Sequence, residues 1–120
     1  MAQVQALEVT GRCKVIAGVG PIRSLRALEF MTTAVPGIHI PAHVARRLRG
    51  VPAGRVEQEG IDLCVETIAQ LRETPGVAGV HLMALGFEHG VPAIIERAGI
   101  GPRYAAQPGT GERRQEPQPC

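Results

Sequence analysis

Lys14-Val15-Ile16-Ala17-Gly18-Val19-Gly20-Pro21-Ile22 decides the reading of this chain. From Val15 to Val19 the run is apolar and rich in β-branched residues, with no polar residue alternating through it. Such a run suits a strand covered on both faces, as in a parallel sheet. Gly20-Pro21 ends it. Residues 22–33 then predict a helix, since Ile22, Leu25, Leu28 and Met31 recur near the helical period, with Arg23, Arg26 and Glu29 between them. Val77 to Leu85 repeats the theme as a second buried strand, opened by Pro75-Gly76.

Between and around these strands the punctuation is helical. Val4, Leu7 and Glu8 read as the end of a helix stopped by Gly11. Pro36-Gly37 makes a turn, and Ile38-His39-Ile40 is either a very short strand or an extended link. Pro41 suits the first turn of a helix with Ile40, Val44 and Leu48 on its apolar side. Arg46, Arg47 and Arg49 form its wet side and Gly50 its stop. After a Pro/Gly loop at 51–54, residues 55–73 carry the clearest amphipathic helix. Ile61, Cys64, Ile68 and Leu71 lie inside; Glu59, Asp62, Glu66 and Gln70 lie outside. Val91, Ile94, Ile95 and Ala98 mark a last helix, ended by Gly99 and Pro102. Residues 103–120, rich in Pro, Gly, Gln, Arg and Glu, read as a disordered tail. The order is α/β, with parallel pairing through a right-handed crossover. Two or three parallel strands leave open edges that natural folds cover or pair.

The 120 residues suit one domain with a modest core. Phe30, Phe87 and Tyr104 are the only aromatic rings, so that core is aliphatic. A net charge of +2, with no aromatics interleaved in a basic patch, argues against a nucleic-acid partner. Cys13, Cys64 and Cys120 are odd in number and far apart, without a CxxC, which fits a reducing cytoplasm better than a disulfide framework or a zinc site. No apolar run reaches the roughly 20 residues of a membrane span.

Sites in α/β folds gather at the carboxyl ends of strands, here Gly18 to Ile22, His39 to Ala42 and Leu85 to His89. Gly18-Val19-Gly20-Pro21 is either a close approach for a ligand or an ordinary tight turn; Arg23 stands where a GxGxxG fingerprint needs Gly. His39 and His43 have helical metal-ligand spacing, but Pro41 lies between them and no HExxH follows. Glu88-His89 offers acid/base groups or, more simply, decorates a helix start. The three arginines read as a solvated face, and Cys64 as an inert core thiol. No nucleophile–base pair, carboxylate pair or P-loop emerges.

The VIAGVGPIRSL stretch, the PGIHIP turn, the Glu57–Leu71 helix and the GVAGVHLMAL strand, in this order and spacing, resemble the methylenetetrahydrofolate reductase family from about Cys13 to Gly101. The resemblance is to roughly the sixth to the eighth strands and helices of that family's barrel, with Met1 inside the helix before the sixth strand. It implies a partial (β/α)8 TIM barrel over residues 1–102, about the last three β/α units, since a whole barrel needs roughly 250 residues. Enzymes of the family use FAD to pass a hydride from NAD(P)H to 5,10-methylenetetrahydrofolate, giving 5-methyltetrahydrofolate, in one-carbon and methionine metabolism. The family's catalytic Glu lies near its N-terminus and its main FAD contacts on the middle strands. The resemblance therefore carries over no catalytic or flavin residue, and implies that these 120 residues alone bind no FAD and turn nothing over. What it carries over is part of a folate-facing rim: Gly20, Pro21, Phe30, Met31, Gly86, Phe87 and Glu88. Ala27, Phe30 and Met31 stand near where some relatives use Gln and Phe. Gly86-Phe87-Glu88 stands where some place an Arg. Phe87 either stacks on a pterin or packs. The rival readings are a non-catalytic α/β interaction module that covers its open sheet edge by self-association, as a homo-oligomer, and a small folate- or nucleotide-binding domain using the GVGP turn.

Overall fold

The computed structural model describes residues 2–100, so the proposed tail and the Gly101-Pro102 helix end lie outside the described residues. The elements run α1 (Ala2–Ala6), β1 (Val15–Val19), α2 (Leu25–Thr33), α3 (Ala42–Arg49), α4 (Val56–Arg72), β2 (Val77–Leu82) and α5 (Val91–Ala98), with short 3₁₀ turns before β1, α4 and α5. This is a mixed α/β arrangement, as the strand–helix punctuation predicts.

β1 and β2 pair directly and in parallel, Ile16 opposite Gly79 through Val19 opposite Leu82, with an irregularity after Val15. Three strands were expected at most, and among the described residues there are two. Ile38-His39-Ile40 is a link without regular structure, not a strand. It is three residues long, and Pro41, which follows it, lacks the N–H a ladder needs. The sequence therefore forms two strand–helix units here rather than three.

A second correction concerns coverage. The continuous apolar runs predict strands buried on both faces, yet only one face is covered. Val19, Val80 and Leu82 pack against Ile61, Cys64 and Ile68 of α4, Ile94 of α5, and Phe87. The opposite face, with Ile16, Gly18, His81 and Met83, is exposed. Among the described residues all the helices that pack on the sheet lie on one side of it. Apolarity in Ile16 and Met83 thus reports a face without a helix, not one under a helix.

The helices gather in a second cluster, where the fully buried Leu28 of α2 and Leu48 of α3 meet Val56 at the start of α4. α4 joins both clusters along its length. Gly60 makes this possible, because α4 lies so close to the β1–α2 connection that a Cβ on residue 60 would fall 2.0 Å from the Ile22 carbonyl oxygen. Start and stop signals match the sequence to within a few residues. α2 begins three residues later than its apolar spacing suggests, because Ser24 takes the N-cap and accepts a hydrogen bond from the Ala27 amide at 3.0 Å. α5 ends at Gly99, which adopts the left-handed conformation at φ 65°.

Candidate functional site

The carboxyl ends of β1 and β2 lie side by side, since the register is parallel. Met83 continues the ladder by donating its amide to the Val19 carbonyl at 2.8 Å. The chain then reverses sharply over Ala84 to Phe87, and the Phe87 amide donates to the Ala84 carbonyl at 3.0 Å. Both central residues have positive φ, Leu85 at 54° and Gly86 at 80°. That is the pattern of a type I′ turn, which suits Gly and strains Leu. The turn drives Phe87 back under the sheet, where it is 1% exposed. It leaves Leu85 out on the open side, 58% exposed.

Between that turn and α2 lies an apolar cleft of about 560 Å³, floored by Met83 and Leu85 and walled by Pro21, Ala27, Phe30 and Met31. Phe30 presents its ring there, 61% exposed. One cation stands at its rim. Arg23, in the β1–α2 connection, donates from Nη1 to the Gly86 carbonyl at 2.9 Å, tying the two strand ends together.

The seven rim residues expected from the sequence fall into three groups. Pro21, Phe30 and Met31 line the cleft. Gly20 and Gly86 shape it from behind: a Cβ on Gly20 would meet the Leu85 side chain and the Met83 carbonyl oxygen at 3.0 Å, and Gly86 supplies the carbonyl that holds Arg23. Phe87 and Glu88 point elsewhere. Phe87 packs in the core with its ring edge-on to His89, 4.5 Å between centroids, so of its two readings packing is the one realised. Glu88 is exposed in the 3₁₀ turn before α5, outside the cleft lining. Arg23 and Met83 were missed, and Leu85 was named only as the start of the Leu85 to His89 strand end, not as a rim residue. Counting by twos from His81 would have placed Met83 and Leu85 on one face of the strand, but the expectation of a strand buried on both faces hid the distinction.

Other candidates resolve differently. His39 is exposed in the link and His43 exposed on α3. No cluster of three or more His, Cys, Asp or Glu occurs among the described residues. His89 lies 3.2 Å from Glu57, at the surface. Cys64 is buried, and burial pushes its thiol pKa up, away from the reactive thiolate. Arg47 corrects the solvated-face reading of the three arginines. It reaches from α3 to α4, bonding Glu59 through Nε and forking onto Glu66 at 2.6 and 2.7 Å.

The family model described as methylenetetrahydrofolate reductase matches residues 1–99. The chain belongs to the methylenetetrahydrofolate reductase family. Neither the curated proteins nor the solved structures contain a match. The cofactor of this reductase family is a flavin dinucleotide, and the described residues can be tested for it. The cleft offers one cationic donor, Arg23, among otherwise apolar walls. A diphosphate is normally cradled by several converging N–H groups or cations. The cleft therefore does not fit the dinucleotide, and no flavin step is derived from these residues. Its apolar floor, single aromatic ring and single cation suit the body of a smaller organic ligand instead. No helix among the described residues is long and apolar enough to cross a membrane.

Proposed function

We propose that these residues form the end of a methylenetetrahydrofolate reductase barrel and supply part of the wall on which its folate substrate lies. The observation that carries this reading is the apolar cleft at the carboxyl ends of two parallel strands, in a chain whose residues 1–99 match the family. That is where barrels of this kind build their sites. The exposed sheet face supports the barrel reading as well: Ile16, Gly18, His81 and Met83 would point into the barrel interior, while Val19, Val80 and Leu82 face the outer helices.

In the complete enzyme FAD supplies the hydride transfer from NAD(P)H to 5,10-methylenetetrahydrofolate. The work of this chain's residues is binding. Phe30 offers a ring face, Met31 and Met83 polarizable surface, and Leu85 a floor for a flat heterocycle. Free Cys13 and Cys64 support a cytoplasmic setting. The reading is tested by adding folic acid to the full chain labelled at its methionine methyl groups. Met31 and Met83 resonances are expected to shift; unmoved Met31 and Met83 would overturn it.

A second reading has its own observation. Ile16 is 55% exposed on the open sheet face, beside exposed Met83 and Leu85. Self-association through that face fits an interaction module, and a mass by light scattering that stays monomeric at all concentrations would remove it.

A further inference from the structure

We infer that Arg23 is the anion-recognising residue of the cleft, and that the ligand it selects is an elongated molecule with a flat apolar body and a carboxylate tail.

Arg23 stands between two cavities. It lines the apolar cleft on one side and, on the other, a hollow of about 600 Å³ whose walls mix Ser24, Glu57 and Gln58 with Leu25, Val56 and Ile61. It is a lining residue of both. A molecule lying on Phe30, Met83 and Leu85 therefore meets a guanidinium as it leaves the apolar floor. Beyond it the mixed hollow lies at the surface, with exposed Glu57 and Gln58 on its wall, so a tail there keeps its water.

The guanidinium is positioned yet underused. One bond, to the Gly86 carbonyl, fixes its direction. A guanidinium has five N–H donors, and a carbonyl takes only part of that capacity. Among the described residues no carboxylate pairs with Arg23, although Arg47 and Arg97 are both paired and Glu57 faces His89. Elsewhere on α4 the acidic side chains capture nearby arginines. Here Glu57, the acidic residue on the hollow's wall, is engaged with a histidine, and the arginine keeps donors for a ligand. Its planar fork matches a carboxylate in two parallel hydrogen bonds.

Leu85 holds a left-handed conformation that a branched side chain rarely adopts. That conformation puts its side chain on the cleft floor and, one residue later, brings the Gly86 carbonyl within reach of Arg23. Strain of this kind persists where the surroundings enforce it, and here it aligns floor and cation together.

The choice of probe rests on the folate reading; the role of Arg23 does not. Calorimetric titration compares folic acid, which has a planar body and a carboxylate tail, with 6-methylpterin, which has a ring and no carboxylate. Arg23→Gln is expected to weaken folic acid about tenfold or more, the scale of a charged hydrogen bond, and to leave 6-methylpterin unchanged. Equal folic acid affinity in wild type and R23Q overturns the inference while the folate reading stands. If the wild type binds neither compound the folate reading fails. In that case 8-anilinonaphthalene-1-sulfonate, an aromatic anion whose fluorescence reports binding, replaces them. A loss of its affinity in R23Q keeps Arg23 as the anion-recognising residue, and unchanged affinity overturns it. If R23Q does not fold, the wild type's salt response decides. Folic acid binding must weaken from low to physiological ionic strength more than 6-methylpterin binding does; an equal response overturns the inference.

Discussion

At the scale of single residues, two backbone positions show sterics overriding propensity. Gly60 sits inside α4, where alanine would ordinarily favour the helix by up to about 1 kcal/mol. The Ile22 carbonyl stands where its Cβ would go, and a backbone oxygen cannot swing aside like a flexible side chain. Overpacking costs about 1–3 kcal/mol, so Gly60→Ala is expected to destabilise the chain on balance, read as a lower midpoint in urea. A raised midpoint would mean that α4 and the β1–α2 connection are not in contact. Leu85 gives the opposite sign. It is exposed and holds positive φ, so little packing is lost on replacing it and strain of about 1 kcal/mol is relieved. Leu85→Gly is expected to leave stability unchanged or raise it, by thermal melting, while opening the cleft floor and weakening ligand binding. A large drop in melting temperature would show that the Leu85 side chain packs more than its exposure indicates.

At the scale of elements, α3 has little apolar surface and is held by Leu48 on one side and Arg47 on the other. Arg47 reaches Glu59 and Glu66 on α4, and Arg97 of α5 reaches Asp62 at 2.5 Å, so α4 is tied to both neighbours through its acidic face. The hydrogen bond from Arg47 lowers the Glu66 pKa, and that from Arg97, helped by Gln58, lowers the Asp62 pKa. Arg47 shifts up in turn and stays charged. A carboxylate whose folded pKa is depressed contributes stability above its unfolded pKa and loses it as pH falls through the folded value. The melting temperature is therefore expected to stay level from neutral pH down to the ordinary carboxylate range, near 4, and to fall below it. The Asp62→Asn/Glu66→Gln double variant should be less stable at neutral pH and show a shallower fall; a fall as steep as wild type would place the acid sensitivity elsewhere. Exposed pairs contribute about 0.2–1 kcal/mol each, so the effect is a few degrees at most. These ties also mark where sequence reading ends. The α4 stripe, the parallel pairing and the Gly99 stop were legible, because periodicity and turn chemistry are local. The partners of Arg47 lie twelve and nineteen residues away on another helix, and no local pattern encodes them. The cleft was half legible, Pro21 and Phe30 from position and family likeness, but Arg23 and Leu85 are chosen by a turn whose strain the composition does not announce.

At the scale of the whole molecule, the arrangement is lopsided, and the lopsidedness bears on activity. Among the described residues two strands carry helices on one side, and their other face holds Ile16 and Met83 in the open. The cleft at their ends is walled by α2 on one flank and the Ala84–Phe87 turn on the other. It has one cation and no general acid or base on its walls. Flavin-dependent hydride transfer would need a protein surface for the substrate and another for the flavin, held close together. On the proposed reading this cleft would wall the substrate, and its single cation among apolar walls makes no cradle for a dinucleotide. The isolated 120-residue chain, supplied with FAD, NADPH or NADH and 5,10-methylenetetrahydrofolate, is therefore expected to show no NAD(P)H oxidation above the flavin-only background. The measurement is absorbance at the nicotinamide band under anaerobic conditions, which removes the reaction of reduced flavin with oxygen. Substrate-dependent turnover would mean that these residues, alone or as assembled copies, build a flavin site. In that case the open sheet face would be the place to look for it, because it holds Ile16 and Met83 exposed. A flat trace together with folic acid binding would separate the two halves of the chemistry, substrate wall here and flavin elsewhere, and would make complementation by the remaining barrel strands the decisive next assay.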